Sequence, residues 1–210
     1  MCEKREILSN KLNRYTSLPA LRDILRTGEL TLKDPSGWED KNDTRLLQRY
    51  MEVNSIDRLF AICFATGDET VHHWNRYAHG PNGCCIEFDR KRLLSSIPPD
   101  KFLVGDVTYK TINAVKKERP PLERFPFTKR WPYRFEEEFR ILFKGKSGDR
   151  QVRVSVQLSA IRRITLSPEV SEKVRARIEQ QARSATRNPN LSVKRSTVYE
   201  NHEWISQFVS

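Results

Sequence analysis

The segment RFEEEFRILF, Arg134 to Phe143, carries three consecutive glutamates inside an apolar run. The alternation of a β-strand puts Phe135, Phe139, Ile141 and Phe143 on one face and Glu136, Glu138 and Arg140 on the other. Carboxylates two residues apart on one strand face lie about 7 Å apart. That is near enough to share a ligand and too far to share a proton. That geometry suits a site. The same pattern also serves a solvated strand face laced by Glu and Arg. Glu137 stands outside the apolar alternation.

Upstream, VKKERPPLERFPFTKRWPYR interleaves basic residues, among them Lys129 and Arg130, with Phe125, Phe127, Trp131 and Tyr133. Cations for phosphates and aromatic faces for unstacked bases are what single-stranded nucleic acid calls for. A long loop packed on a core would use the same aromatics. His72, His73 and His79 invite a metal reading, but a helix sets His72 and His73 about 100° apart and His79 falls past its end, so no metal site is expected. Cys2, Cys63, Cys84 and Cys85 show no CxxC spacing, which points to reduced thiols. Trp74 and Tyr77 either pack a helix on a sheet or line a pocket where a ring stacks on a flat ligand.

The elements that must position these residues are legible in outline. LNRYTS reads as a strand, LPALRDILRTG as a helix capped by Ser17 with Leu18, Leu21 and Leu25 on one face and Gly28 as its stop, and ELTLK as a second strand. TRLLQRYMEV reads as a helix and RLFAICFAT as a buried strand. In ETVHHWNRYAHG, Val71, Trp74 and Ala78 share a helical face that Gly80 ends. GCCIEFD is a strand, Asp89 caps a helix over residues 90–96, and LVGDVTY is another strand. Residues 110–134 read as a long ordered loop, followed by the glutamate strand, QVRVSVQL, a basic amphipathic helix over 169–187 and a last strand over 191–196. Strands adjacent in order, with helices early and late, describe an α+β fold with a mainly antiparallel sheet.

The chain's 210 residues suit one domain with a sizeable core. Thirty-eight Lys and Arg against 27 Asp and Glu leave a formal charge of +11, which favours polyanionic partners. The charged start MCEKREILSN and the lack of any long apolar run point to a soluble cytoplasmic protein without a membrane partner.

LNRYTSLPALRDILRTGELTL resembles the first strand and helix of the ADP-ribosyltransferase superfamily. Together with RLFAICFAT, HHWNRYAHGPNGCCIEFD and KRWPYRFEEEFRIL, it is similar across nearly the whole chain to an uncharacterised bacterial family known only as a domain of unknown function. The resemblance implies a split β-sheet core flanked by helices and the use of NAD. It implies Arg14 at the first NAD-holding position with Thr16 beside it, Thr66 on the second strand, and Glu138 as the catalytic glutamate that closes a Glu-x-Glu motif begun by Glu136. Trp74 and Tyr77 would line the cofactor pocket, and Lys129, Arg130 and Trp131 would meet the acceptor. Many relatives have His where this chain has Arg14, and the Ser-Thr-Ser motif of one branch is met only at Thr66.

Breaking the bond between nicotinamide and ribose develops positive charge on the sugar, which a fixed carboxylate stabilises. The function implied is an NAD-dependent transferase that modifies RNA or DNA, as a bacterial toxin or phage-defence effector would, with an antitoxin as a further partner. Protein-directed transfer, NAD hydrolysis, or an inactive nucleotide- or nucleic-acid-binding module are the alternatives.

Overall fold

The computed structural model describes residues 9–78 and 80–208; Cys2, the charged start and His79 lie outside the described residues. In chain order the elements are β1 (Lys11–Ser17), α1 (Leu18–Thr27), β2 (Glu29–Leu32), α2 (Lys41–Val53), β3 (Arg58–Ala65), α3 (Val71–Tyr77), β4 (Gly83–Asp89), α4 (Arg90–Leu94) and β5 (Phe102–Asp106). They continue with β6 (Thr108–Lys110), α5 (Ile112–Lys117), β7 (Thr128–Arg130), β8 (Glu138–Gly145), β9 (Val152–Ser155), β10 (Ile161–Leu166), α6 (Glu172–Thr186), β11 (Ser192–Arg195) and α7 (His202–Ser206).

These elements fall into two compact units, each discontinuous in sequence. The first comprises residues up to Gly28, Thr66–Leu94, and the chain from Gln157 onward; the second comprises Glu29–Ala65 and Ser95–Val156.

In the first unit the strand order is β11-β10-β4-β1. β1 and β10 both run antiparallel to β4, with Arg14 opposite Ile86, while β11 joins β10 in parallel. Local chemistry sets the helices. Ser17 caps α1 by accepting from the Ala20 N–H, Leu18, Leu21, Ile24 and Leu25 turn inward, and Gly28 takes the left-handed conformation that stops it. Ser171 caps α6. In α3, Trp74 and Ala78 are buried as their spacing predicts, whereas Val71 is exposed.

In the second unit the order is β3-β8-β5, all antiparallel, with the two-stranded pairs β2-β9 (antiparallel) and β6-β7 (parallel) beside it. The strands are therefore mainly antiparallel, as the sequence suggests, and the parallel pairs β10-β11 and β6-β7 make the arrangement mixed. α2 begins at Lys41, earlier than its apolar run suggests, because Asp40 accepts the Asn42 N–H at 3.0 Å and caps it there. Its inward residues Leu47 and Tyr50 pack with Leu59 and Phe125, and Phe127 packs with Ala61 and Leu142.

The stretch read as one long loop is instead α5, a 3₁₀ turn Leu122–Phe127, β7 and a second 3₁₀ turn Trp131–Glu136. Phe125 and Phe127 belong to the core. Pieces of three to six residues are too short to show a period in the sequence. β10 and α7 carry no clear period either, and β11 is not the last element.

Candidate active site

Glu138 is the first residue of β8, opposite Ala65 of β3. The 3₁₀ turn before it ends at Glu136 and is capped by Glu137, which takes a left-handed conformation at φ 42°. That turn accounts for the broken alternation, since the strand parity begins only at Glu138. It also overturns the expected common face. Phe135 is 64% exposed instead of buried, and Glu136 reaches the cluster from the turn.

Arg140 is 0% exposed and organises the cluster. Its Nε and one terminal nitrogen donate to the two Glu138 oxygens, both at 2.8 Å. The terminal nitrogens donate to the two Asp43 oxygens at 2.8 and 2.6 Å and to the Pro126 carbonyl at 3.0 Å. All five guanidinium donors thus have acceptors, which is what a charge so deeply buried requires. Trp38 covers it, with its ring centroid 5.1 Å from the guanidinium carbon.

Lys129, also buried, donates to Glu136 at 2.5 Å and to Glu138 at 3.3 Å, lies 3.7 Å from Asp43, and sits over the Tyr133 ring. Burial works against the Lys129 ammonium, but Glu138 and Glu136 outweigh it and hold its pKa above the ordinary value. Burial likewise works to raise Glu138; Arg140, then Lys129 and a hydrogen bond from Cys63, overcome it and bring the carboxyl from its usual 4.5 down to about 2. Asp43 moves the other way, because burial outweighs its share of Arg140. Glu138 is thereby a fixed anion at any physiological pH. Three carboxylates (Asp43, Glu136, Glu138) face two cations (Lys129, Arg140), so in their ionised forms one negative charge is left over.

Tyr109 completes the cluster, its hydroxyl accepting the Glu138 N–H at 2.8 Å. Sequence reasoning missed Asp43 and Tyr109. Asp43 meets Arg140 across 97 residues of chain, and no local pattern marks such a partner.

Of the other residues singled out, Arg130 is exposed and Trp131 is 47% exposed. Arg134 lies 4.9 Å from the Trp131 ring centroid and 4.0 Å from that of Phe135, making a stack in which both rings are exposed and the Arg134 side chain is half-buried. Lys129 joins the carboxylates and not this surface.

Arg14, Thr16, Thr66, Trp74 and Tyr77 lie in the first unit. Arg14 is half-buried on β1 and Thr16 buried; Thr66 directly follows β3 and Tyr77 is half-buried at the end of α3. Trp74 is in the core, its indole N–H donating to Glu69 at 2.6 Å and its ring edge-on to Tyr15. His73 stacks on Tyr15 with ring centroids 5.0 Å apart and lies 2.8 Å from the Thr70 hydroxyl through Nδ1. Among the described residues no group of three or more His, Cys, Asp or Glu could hold a metal ion, and no helix is long and apolar enough to cross a membrane.

No protein-family model and no curated protein matches the sequence. Among solved structures the chain is similar to DarT from Thermus sp. 2.9 in complex with NAD+, at 10% identity and a TM-score of 0.47 over 92% of this chain and 98% of that one. It is similar to the same protein in complex with ADP-ribosylated single-stranded DNA, at 11% identity and a TM-score of 0.46 over 92% of this chain and 97% of that one.

Proposed function

We propose that this protein is an ADP-ribosyltransferase of the split-sheet fold that consumes NAD as a substrate and modifies a nucleic acid. The observation that carries the reading is Glu138: an ionised carboxylate immobilised by Arg140 and Lys129 in a buried cluster. When the bond between nicotinamide and ribose breaks, neutral nicotinamide leaves and the ribose becomes cationic. A carboxylate already fixed before that charge appears stabilises it without reorganising. The acceptor's nucleophilic atom then bonds to the ribose carbon and loses its proton, for which Glu136, held by Lys129 at 2.5 Å, is the base. Arg14 and Thr16 are proposed to hold NAD, with Thr66, Trp74 and Tyr77 as further contacts; the bound indole N–H of Trp74 leaves only its ring for that role.

The stack of Trp131, Arg134 and Phe135, with Arg130 beside it and a chain charge of +11, supports a single-stranded nucleic acid as acceptor. Arg130 and Trp131 keep the acceptor role there, while Lys129 serves the carboxylates.

A second reading has an observation of its own. A carboxylate offers about four lone-pair positions, and those of Glu138 meet two Arg140 donors, Lys129 and Cys63. A carboxylate so occupied also suits a binding module that the ion cluster merely braces. For catalysis, a ribose hydroxyl must displace the weakest of these, the 3.3 Å Lys129 contact or the thiol.

Glu138→Gln separates the two. With NAD labelled on the adenine side and single-stranded RNA or DNA, the transferase reading expects label on the nucleic acid from the native protein. It expects a loss of roughly 10²–10³-fold in the variant, with oligonucleotide binding retained and the variant still folded at the assay temperature by circular dichroism. No nicotinamide release from the native protein, with equal oligonucleotide binding by both, establishes the binding module instead.

A further inference from the structure

The pairing of β5 with β8 runs from Phe102 opposite Phe143 to Asp106 opposite Phe139. The same register carried one rung further sets Val107 opposite Glu138. Half of that rung is present, because the Val107 N–H donates to the Glu138 carbonyl at 2.8 Å. In a continuing antiparallel ladder the Glu138 N–H would donate to the Val107 carbonyl in return. It donates instead to the Tyr109 hydroxyl at 2.8 Å. A side chain has taken the place of a backbone acceptor at the residue where the left-handed Glu137 turns the incoming chain out of the sheet.

Tyr109 is itself held in place. It lies opposite Lys129 in the parallel pair β6-β7, and Lys129 donates to Glu136 and Glu138. Burial, and then the glutamate charges, keep the phenol protonated, so its oxygen remains a neutral acceptor for the N–H.

We infer that Tyr109 is a positioning residue for the reaction proposed above, on which this inference rests: its hydroxyl fixes the Glu138 backbone, and through it the carboxylate, at the strand end. An unclamped first residue would fray, and a displacement of the order of 1 Å at a reacting group costs about 10²-fold in rate.

Tyr109→Phe removes one oxygen and keeps the ring. Three quantities are measured on the full chain: steady-state nicotinamide release, amide exchange at Glu138 by NMR on 15N-labelled protein, and the thermal midpoint. The expected result is faster exchange at Glu138, kcat lower by roughly 10- to 100-fold, and KM for NAD within about twofold. A merely structural role would lower the thermal midpoint without this split between kcat and KM. Unchanged kcat, or unchanged exchange at Glu138, overturns the inference. If the native protein releases no nicotinamide, the proposed function fails by itself, and the Glu138 carboxyl titration followed by 13C NMR decides on Tyr109. A titration moved up from about 2 in the variant sustains the positioning role, and an unmoved one overturns it.

Discussion

Glu138 and Asp43 share one guanidinium and divide its benefit unequally. Glu138 takes the larger part, and its pKa falls from 4.5 to about 2. A carboxyl whose folded pKa is depressed stabilises the fold fully above its unfolded value and loses that contribution as the pH falls through the folded one. The window is therefore about pH 4.5 down to pH 2. Asp43, pushed up by burial, works in the opposite sense and is relieved on acidification. The net expectation is a thermal midpoint that drops across that window in the native protein. In Glu138→Gln the same stretch of the profile is flatter, as differential scanning calorimetry from pH 2 to pH 6 would read. An equally steep profile in the variant would assign the acid loss to other carboxyls, such as Asp34 or Asp89, whose pKa values are also lowered.

The elements show where a sequence speaks plainly and where it does not. The core face of β8 is legible because period two is local: Phe139 and Ile141 are buried, and Glu138 and Arg140 share the other face. Two residues earlier the parity is lost, since one left-handed residue turns the chain and reassigns Phe135 and Glu136. β10 escaped notice because Arg162 and Arg163 interrupt its apolar pattern, and they are there to pair with Asp89 and Glu87 on β4. Caps were readable at Ser17 and Gly28, where one residue does the work. The partners of Arg140 were not, because contact across the fold leaves no periodic trace. Glu137 gives this a measurable form. Glu137→Gly should leave stability within about 1 kcal/mol, strain relief offsetting the added freedom of the unfolded chain. Glu137→Val should cost roughly 1–3 kcal/mol in urea unfolding, because a β-branched residue resists a left-handed backbone.

At the scale of the molecule the dominant number is the charge of +11. Oligonucleotide affinity should fall linearly in log–log form with salt, by about 0.7 per phosphate neutralised on a single strand. Substituting Arg130 and Arg134 by Ser should lower that slope. Substituting Trp131 and Phe135 by Ala should weaken binding at every salt concentration with the slope unchanged, because stacking releases no counterions. Fluorescence anisotropy titrations at several salt concentrations check both, and a slope that moves with the aromatic pair would remove those rings from the stacking role.

The Arg140 cluster also bears on how this chain can diverge. Asp43 and Arg140 are 97 residues apart and both dry, and removing one partner of a buried ion pair typically costs 3–5 kcal/mol, a large share of a domain's stability. Replacing Asp43 and Arg140 together would not be neutral either, because Arg140 also gives both Glu138 oxygens a donor at 2.8 Å and that carboxylate would stay buried without them. Mutational paths through any one of the three residues are therefore nearly closed while the other two remain. Descendants of this sequence that keep Glu138 should keep Arg140 and Asp43 with it, so positions 43, 138 and 140 would change together or not at all across an alignment.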